Sequence, residues 1–382
     1  MRFSRGLSVI GLLAVGGVAS AADAPATPAA PPAPPVPAFA DVLTSWGLTA
    51  SGYVAASYYS NTGYPANVHQ FDIKHDTFQL DQTGFQLAYQ PKTGFGALVD
   101  LMAGEDARIL QTAESGTPGG AFDVRQAFVQ YAGGPMTVIA GKYVTLAGAE
   151  VINPTGNTNF SRSLLFTLLE PLTHTGVRAT YAASDTFSFI AGVNNGWNTT
   201  STDYGSKTGE VGIAWTPNKI FSLTAQSYFG KAGSYSPFDA ERAMVDVVAT
   251  YNATSALTFI VNVDWDQQQD GITDALGHTH SATVAGIAGY VNYAFNDQWR
   301  TSIRLEYVDD KDGFATGVVQ HLVEGTVTFG YAPTKSFELR AEFRYDRAQD
   351  DGTFLKGIEP NRTFGNNLSQ IAFQGLYKFS AP

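Results

Sequence analysis

The sequence contains no cysteine, which removes disulfide frameworks and cysteine-ligated metals or clusters and suits a compartment where thiols would be oxidised. Charge is also scarce. Asp, Glu, Lys and Arg make up 15% of residues, against roughly 25% in an ordinary soluble domain. Bases are the scarcer sign, 23 against 34 acids for a net charge of −11, and that balance argues against a nucleic-acid-binding face. No window approaches the roughly 20 consecutive apolar residues of a transmembrane helix. Enzyme signatures are missing too, with no G-x-S-x-G elbow and no His-Glu-x-x-His. No catalytic residue, cofactor or resident metal is expected. A chain without such helices can span a membrane only as a closed barrel, because no other fold satisfies backbone polar groups in lipid.

Aromatic residues are abundant at 13%, with 25 Phe and 18 Tyr, and there are 39 Gly. Mean hydropathy is −0.07. Little charge without a strong apolar excess fits strands that set one face in lipid and the other in water. The N-terminus has the pattern of a secretory leader: Arg2 and Arg5, an apolar stretch from Leu7 to Val18, and the small-residue site Ala19-Ser20-Ala21. The expected organisation is a leader at 1–21, an Ala/Pro-rich periplasmic spacer at 22–46 and a barrel at 47–382. Within the spacer, Phe39 to Trp46 is expected to form a short plug or turn of helix.

From about Leu48 the sequence alternates with period 2. In the clearest case Phe337, Leu339, Ala341, Phe343 and Tyr345 interleave with Glu338, Arg340, Glu342, Arg344 and Asp346. Trp299, Ile303, Leu305 and Tyr307 likewise interleave with Arg300, Ser302, Arg304 and Glu306. Several apolar faces end in Tyr or Trp, as interfacial girdles require. Connections alternate in length. Short turns such as Pro91-Lys92-Thr93-Gly94, Asn296-Asp297 and Pro333-Thr334-Lys335 separate long polar loops near 60–77, 105–121, 147–173, 195–207, 231–241, 267–281, 309–318 and 347–367. Seven turns and eight loops predict about sixteen antiparallel strands in an all-β closed transmembrane barrel, with short periplasmic turns and long extracellular loops. The alternation is weakest in the fifth strand.

Two segments carry a family resemblance. VRQAFVQYAGGPMTVIAGKY (Val124 to Tyr143) resembles a porin strand–turn–strand unit, and GAEVINPTGNTNFSRSLLFTLLEPLTHTGVR (Gly148 to Arg178) resembles the OmpL-like β-barrel porin family of Gram-negative outer membranes. The resemblance implies export to the cell outer membrane, contact with its lipid and lipopolysaccharide, and a pore for small polar solutes. It names no substrate. Sixteen-strand porins usually form trimers, so a homotrimer is an open expectation. One departure is the C-terminus, where Ser380-Ala381-Pro382 follow Phe379 in place of a terminal aromatic.

A sixteen-strand barrel is wide enough for an aqueous channel. The longest loop, 147–173, is the candidate constriction, with Glu150, Asn153, Asn157, Asn159, Arg162 and Glu170. The alternation turns Arg125, Lys142, Arg178, Arg300, Arg304, Arg340 and Arg344 to the inner wall, with Glu306, Glu338 and Glu342. Asp100, Asp123, Glu210, Asp246, Asp264 and Glu324 face the same way. Charges of both signs across a narrow aperture would orient dipolar solutes. The plainer alternative is that they pair across strands and keep the bore wet. His278-Thr279-His280 offers only two ligands for a metal, and Asp266-x-Gln268-x-Asp270-Gly271 has Gly277 where a calcium loop needs its closing Glu. A passive pore is the first reading. A non-conducting barrel whose external loops bind a partner is the second.

Overall fold

The computed structural model describes residues 39–381 except 66–67, 116–117, 203–204, 206, 233–239, 274–276 and 357–362. The expected leader at 1–21 and the Ala/Pro stretch as far as residue 38 lie outside the described residues. A seven-residue helix, α1 (Phe39–Ser45), precedes the first strand.

In chain order the strands begin with β1 (Thr49–Asn61), β2 (Gly63–Tyr64), β3 (Thr77–Tyr89), β4 (Gly94–Ala103), β5 (Phe122–Gly133), β6 (Met136–Val144) and β7 (Thr173–Ser184). They continue as β8 (Phe187–Asn194), β9 (Thr208–Trp215), β10 (Phe221–Lys231), β11 (Glu241–Asn252), β12 (Leu257–Thr273) and β13 (Thr279–Ala294). The last are β14 (Trp299–Asp310), β15 (Gln320–Thr334), β16 (Phe337–Ala348), β17 (Phe354–Lys356), β18 (Thr363–Gly365) and β19 (Asn367–Ala381). Sixteen of them close an antiparallel barrel in which sequence neighbours pair and β19 returns to β1. Ala50 lies opposite Ala381, so the barrel's first and last strands meet at the short-turn end. Closure leaves the barrel wall no unpaired edge, which is the condition for crossing lipid.

The two-residue period decides which face each side chain takes. Along β16, Leu339, Phe343 and Tyr345 are exposed on the outside while Arg340, Glu342, Arg344 and Asp346 are buried inside. Aromatic side chains collect beside the short turns, where Phe95 meets Tyr131, Trp215 meets Phe221, Tyr251 meets Phe259, and Trp299 stacks on Tyr331 at 4.4 Å. Such a ring suits the lipid headgroup level. The tight β5–β6 turn uses Gly134 at φ +56, a conformation that L side chains rarely adopt.

One weak point of the sequence reading is explained by the structure, and several expected loops are corrected by it. The weak phase of β5 has a cause: the register with β4 shifts between Asp100 and Leu101, leaving Arg125 as an extra residue that breaks the alternation. The loop at 105–121 contains an amphipathic helix, α2 (Glu105–Ser115). The span taken as a loop at 267–281 is mostly strand, since β12 runs to Thr273 and β13 starts at Thr279. Asp266 therefore sits in a strand, paired with Arg242, and the calcium-loop alternative is excluded by geometry. The loops at 60–77 and 347–367 also join each other, through the small sheet β18–β17–β2.

Candidate functional site: the loop inside the barrel

The connection between β6 and β7, residues 145–172, folds into the barrel and is braced by its own side chains. Asn153 accepts from the Thr155 amide at 2.9 Å and so caps a 3-10 turn, Pro154–Gly156. Ser163 caps the short helix α3 (Leu164–Leu168) by accepting from the Phe166 amide at 2.9 Å. The Asn157 amide donates to the Val151 carbonyl and accepts from the Val151 N–H, tying the two arms of the loop. Arg162 donates to the carbonyls of Val151, Ile152 and Phe160 at 2.8–2.9 Å and lies over the rings of Phe71 and Phe166. Its charge is spent on holding the loop's shape and is only 3% exposed.

The wall of β14, β15 and β16 then grips the loop. Arg300 donates to the Thr158 carbonyl at 2.7 Å, and Asn159 donates to the Thr328 hydroxyl at 2.7 Å. Glu342 accepts from the amides of Phe160 and Ser161, and Glu306 accepts from those of Leu164 and Leu165. Arg340 donates to the Pro154 and Asn159 carbonyls, and Arg344 to the Arg162 carbonyl at 2.6 Å. Arg304 is the hub. It donates to Glu150 at 2.7 Å and to the Ser161 carbonyl at 2.9 Å, and forms ion pairs with Glu306 and Glu324 at 2.9 and 3.2 Å. Charge-assisted bonds of this kind are roughly twice as strong as neutral ones. Anchors on the flanking strands are fewer: Asn262 on β12 accepts from the Ala149 amide, and Gln82 on β3 donates to the Ile152 carbonyl.

Most of the remaining inner-wall charges pair with one another, although Asp246 accepts from the Gly148 amide of the loop. Arg125 forks onto Asp100, Lys142 binds Glu114 and Asp123, and Arg178 binds Glu210. Glu338 pairs with Arg300 and Arg340. Glu170, at the end of the loop, faces Asp246 and Asp264. Below the loop, its Asn153–Thr155 turn borders a cavity of about 450 Å³ with Tyr53, Asp100, Arg125, Lys335 and Lys378 among its walls.

The expectation of a wholly hydrated inner face needs correction toward the extracellular end. Val284, Ala288, Val308, Leu322, Ala348 and Leu368 point inward and bury Leu164, Leu165 and Leu169 of the loop, together with Val68 and Phe354. A second cluster packs Phe166 and Ile152 against Phe71, Met102, Ala107 and Leu110. Inward apolar residues occur where a loop must be covered. Sequence alternation ranks them as ordinary wall positions because it carries no information about what enters the bore.

Loops other than 145–172 also dock inward. His69, between β1 and β3, is buried between Asp72 at 2.7 Å and Asp346 at 3.0 Å. Burial and the nearby Arg344 disfavour a charge on its imidazole, but the two carboxylates outweigh them and raise its pKa. Burial likewise works against the Asp72 carboxylate, yet His69, Arg344 and the Gln370 amide hold its pKa below the usual range. A raised His69 pKa gives docking energy that is complete below the free imidazole value and is lost as pH rises through the raised one. The lowered Asp72 pKa gives energy that is present above the free carboxylate value and lost in strong acid. Protection of the 68–76 amides against hydrogen exchange is therefore expected to be greatest near about pH 6 and to fall toward alkaline pH. His69→Asn should erase the alkaline decline, and an unchanged pH profile in that variant would count against the pairing.

Residues 47–379 match the family described as "Putative beta-barrel porin-2, OmpL-like". Among solved structures, the outer membrane channel DcaP of Acinetobacter baumannii is similar with a TM-score of 0.57 and 12% identity, over 87% of this chain and 97% of that one. The trimer form of the outer membrane protein OmpT of Vibrio cholerae is similar with a TM-score of 0.58 and 12% identity, over 87% and 99%. An anion-selective porin from Comamonas acidovorans is similar with a TM-score of 0.57 and 10% identity, again over 87% and 99%. At these identities the likeness concerns the fold alone. No curated protein sequence matches.

Proposed function

The chain belongs to the OmpL-like β-barrel porin-2 family, and from that premise we propose that it is a passive diffusion channel of the outer membrane. Small hydrophilic solutes and ions cross through a bore narrowed by the loop at 145–172. The observation that carries this reading is the clamp of that loop on the inner wall by Arg300, Arg304, Arg340, Arg344, Glu306 and Glu342. A loop held by so many charge-assisted bonds sets a fixed aperture. With it go an export leader at 1–21, an Ala/Pro-rich periplasmic spacer from residue 22, a lipid-facing girdle in contact with lipopolysaccharide, and assembly as a homotrimer.

A second reading is favoured by one observation, the apolar packing of Leu164, Leu165 and Leu169 inside the barrel. It is a non-conducting surface barrel whose outer loops bind a partner. Conductance separates the two. Purified protein in a planar bilayer is expected to give stepwise, ohmic openings smaller than those of an unobstructed sixteen-strand barrel. A bilayer that stays silent with correctly assembled protein would favour the second.

A further inference from the structure

The far end of the inserted loop meets the wall at a cluster of acids. Asp246 on β11 and Asp264 on β12 are directly opposite each other in the strand register, and both are fully buried. Like charges in that position repel. A single Asn262 amide donates to one oxygen of each, at 2.8 and 3.0 Å, and leaves the other oxygen of each without a hydrogen-bond partner. Independently, the loop brings in Glu170, 6% exposed, whose carboxylate meets the Asp264 carboxyl and accepts from no amide, hydroxyl or basic group among the described residues. Oxygens of the three side chains lie within 4.8 Å of one another. Three carboxylates, one oxygen from each, thus converge on one buried site.

Among the described residues no cation pairs with these three carboxylates, and only the Asn262 amide and the Gly148 backbone N–H donate to them. Arg242, Arg178 and Arg304 pair with other acids, Arg242 with Asp266, Arg178 with Glu210, and Arg304 with Glu150, Glu306 and Glu324. Uncompensated burial of carboxylates is very unfavourable. The backbone is shaped to this arrangement: Gly148 adopts φ +90, and a Cβ there would fall on the Glu170 carboxylate.

We propose that Glu170, Asp246 and Asp264 bind one hard divalent cation of the calcium class, which ties the end of the inserted loop to β11 and β12. The ligand chemistry is all oxygen and anionic, and calcium takes such ligands at 2.3–2.6 Å in flexible geometry with water completing the shell. The ion is a further fastening for the loop, on β11 and β12, beyond β13 from the Arg304 clamp on β14. The assignment stands on the cluster and not on the channel reading, because its first readout is metal binding itself.

The test uses the full chain, assembled in a neutral detergent, stripped with a chelator and titrated with calcium alone by calorimetry. One saturable equivalent per chain is expected, with affinity that weakens as pH falls and protons compete for the carboxylates. Asp264→Asn should lower that affinity at least tenfold, and Asp246→Asn serves as the second variant, with heat-modifiable gel mobility reporting assembly of both. Asp351→Asn on an exposed tip should leave binding unchanged. In wild type, calcium should also slow tryptic cleavage after Arg162. Absence of a saturable equivalent in wild type, or equal affinity in assembled Asp264→Asn and Asp246→Asn, would overturn the assignment.

Discussion

Arg304→Met is expected to raise single-channel conductance several-fold while the barrel still assembles. The guanidinium is fully buried and, among the described residues, is the only cation paired with Glu150 of the loop, and Glu306 and Glu324 of the wall lie beside it. Removing it leaves three carboxylates crowded in a low-dielectric site. Breaking a buried pair by deleting one partner is destabilising by about 3–5 kcal/mol. The strands do not need Arg304, because β14 stays laddered to β13 and β15 along its whole length. Relief therefore comes from the element that can move: Glu150 withdraws and carries the 150–163 arm off the wall. Three measurements follow. Conductance rises, the loop becomes sensitive to protease, and the midpoint of urea unfolding falls. Arg304→Lys keeps the charge but loses the fork that serves Glu150, Ser161 and Glu324 together, so it should fall between. If Arg304→Met matches wild type in conductance and proteolysis, the clamp does not set the aperture.

What the sequence disclosed, and what it hid, follows from range. The β16 alternation is complete within ten residues and needs no partner to be read, so Phe337 to Asp346 specifies strand, faces and environment together. Strand count follows likewise from turn chemistry, as at Gly134-Pro135 and Asn296-Asp297. Where a bulge inserts Arg125, the local rule breaks and the phase of β5 becomes ambiguous. Loop docking lies wholly beyond local pattern: Phe160 meets Glu342, Asn159 meets Thr328, and Ala149 meets Asn262, each more than a hundred residues away. The sequence could name Glu150, Arg162 and Arg304 as charged and well placed. It could not show that Arg162 folds its own loop while Arg304 holds that loop to the wall. The acids at 170, 246 and 264 form no motif because closure of the barrel, not spacing along the chain, brings them together. His69 is hidden for the same reason, since its partner Asp346 lies on the other side of the closing seam.

Leu165→Asp should undock the loop even more completely, and in a way that pH reverses. Leu165 is fully buried on α3, and its side chain occupies the space that a Cβ on Gly286 would need, so wall and loop fit closely there. An aspartate in its place loses the apolar contacts with Val284, Val308 and Leu322 and sets a charge among them. It also stands beside Glu306, whose carboxylate already accepts from the Leu164 and Leu165 amides. Truncation alone, as in Leu165→Ala, is destabilising by about 2–5 kcal/mol for a buried leucine, and an unpaired buried charge adds to that. At neutral pH the substituted loop should therefore be displaced, with conductance above that of Leu165→Ala. The docked state favours the neutral acid, so the introduced carboxyl has a higher pKa docked than undocked. Docking then gains as pH falls, and conductance of Leu165→Asp should decline toward the wild-type level below about pH 4. A variant with the same conductance at pH 4 and pH 7 would mean that the apolar seat of α3 does not govern the aperture, leaving the polar clamp at Arg304 to do so alone.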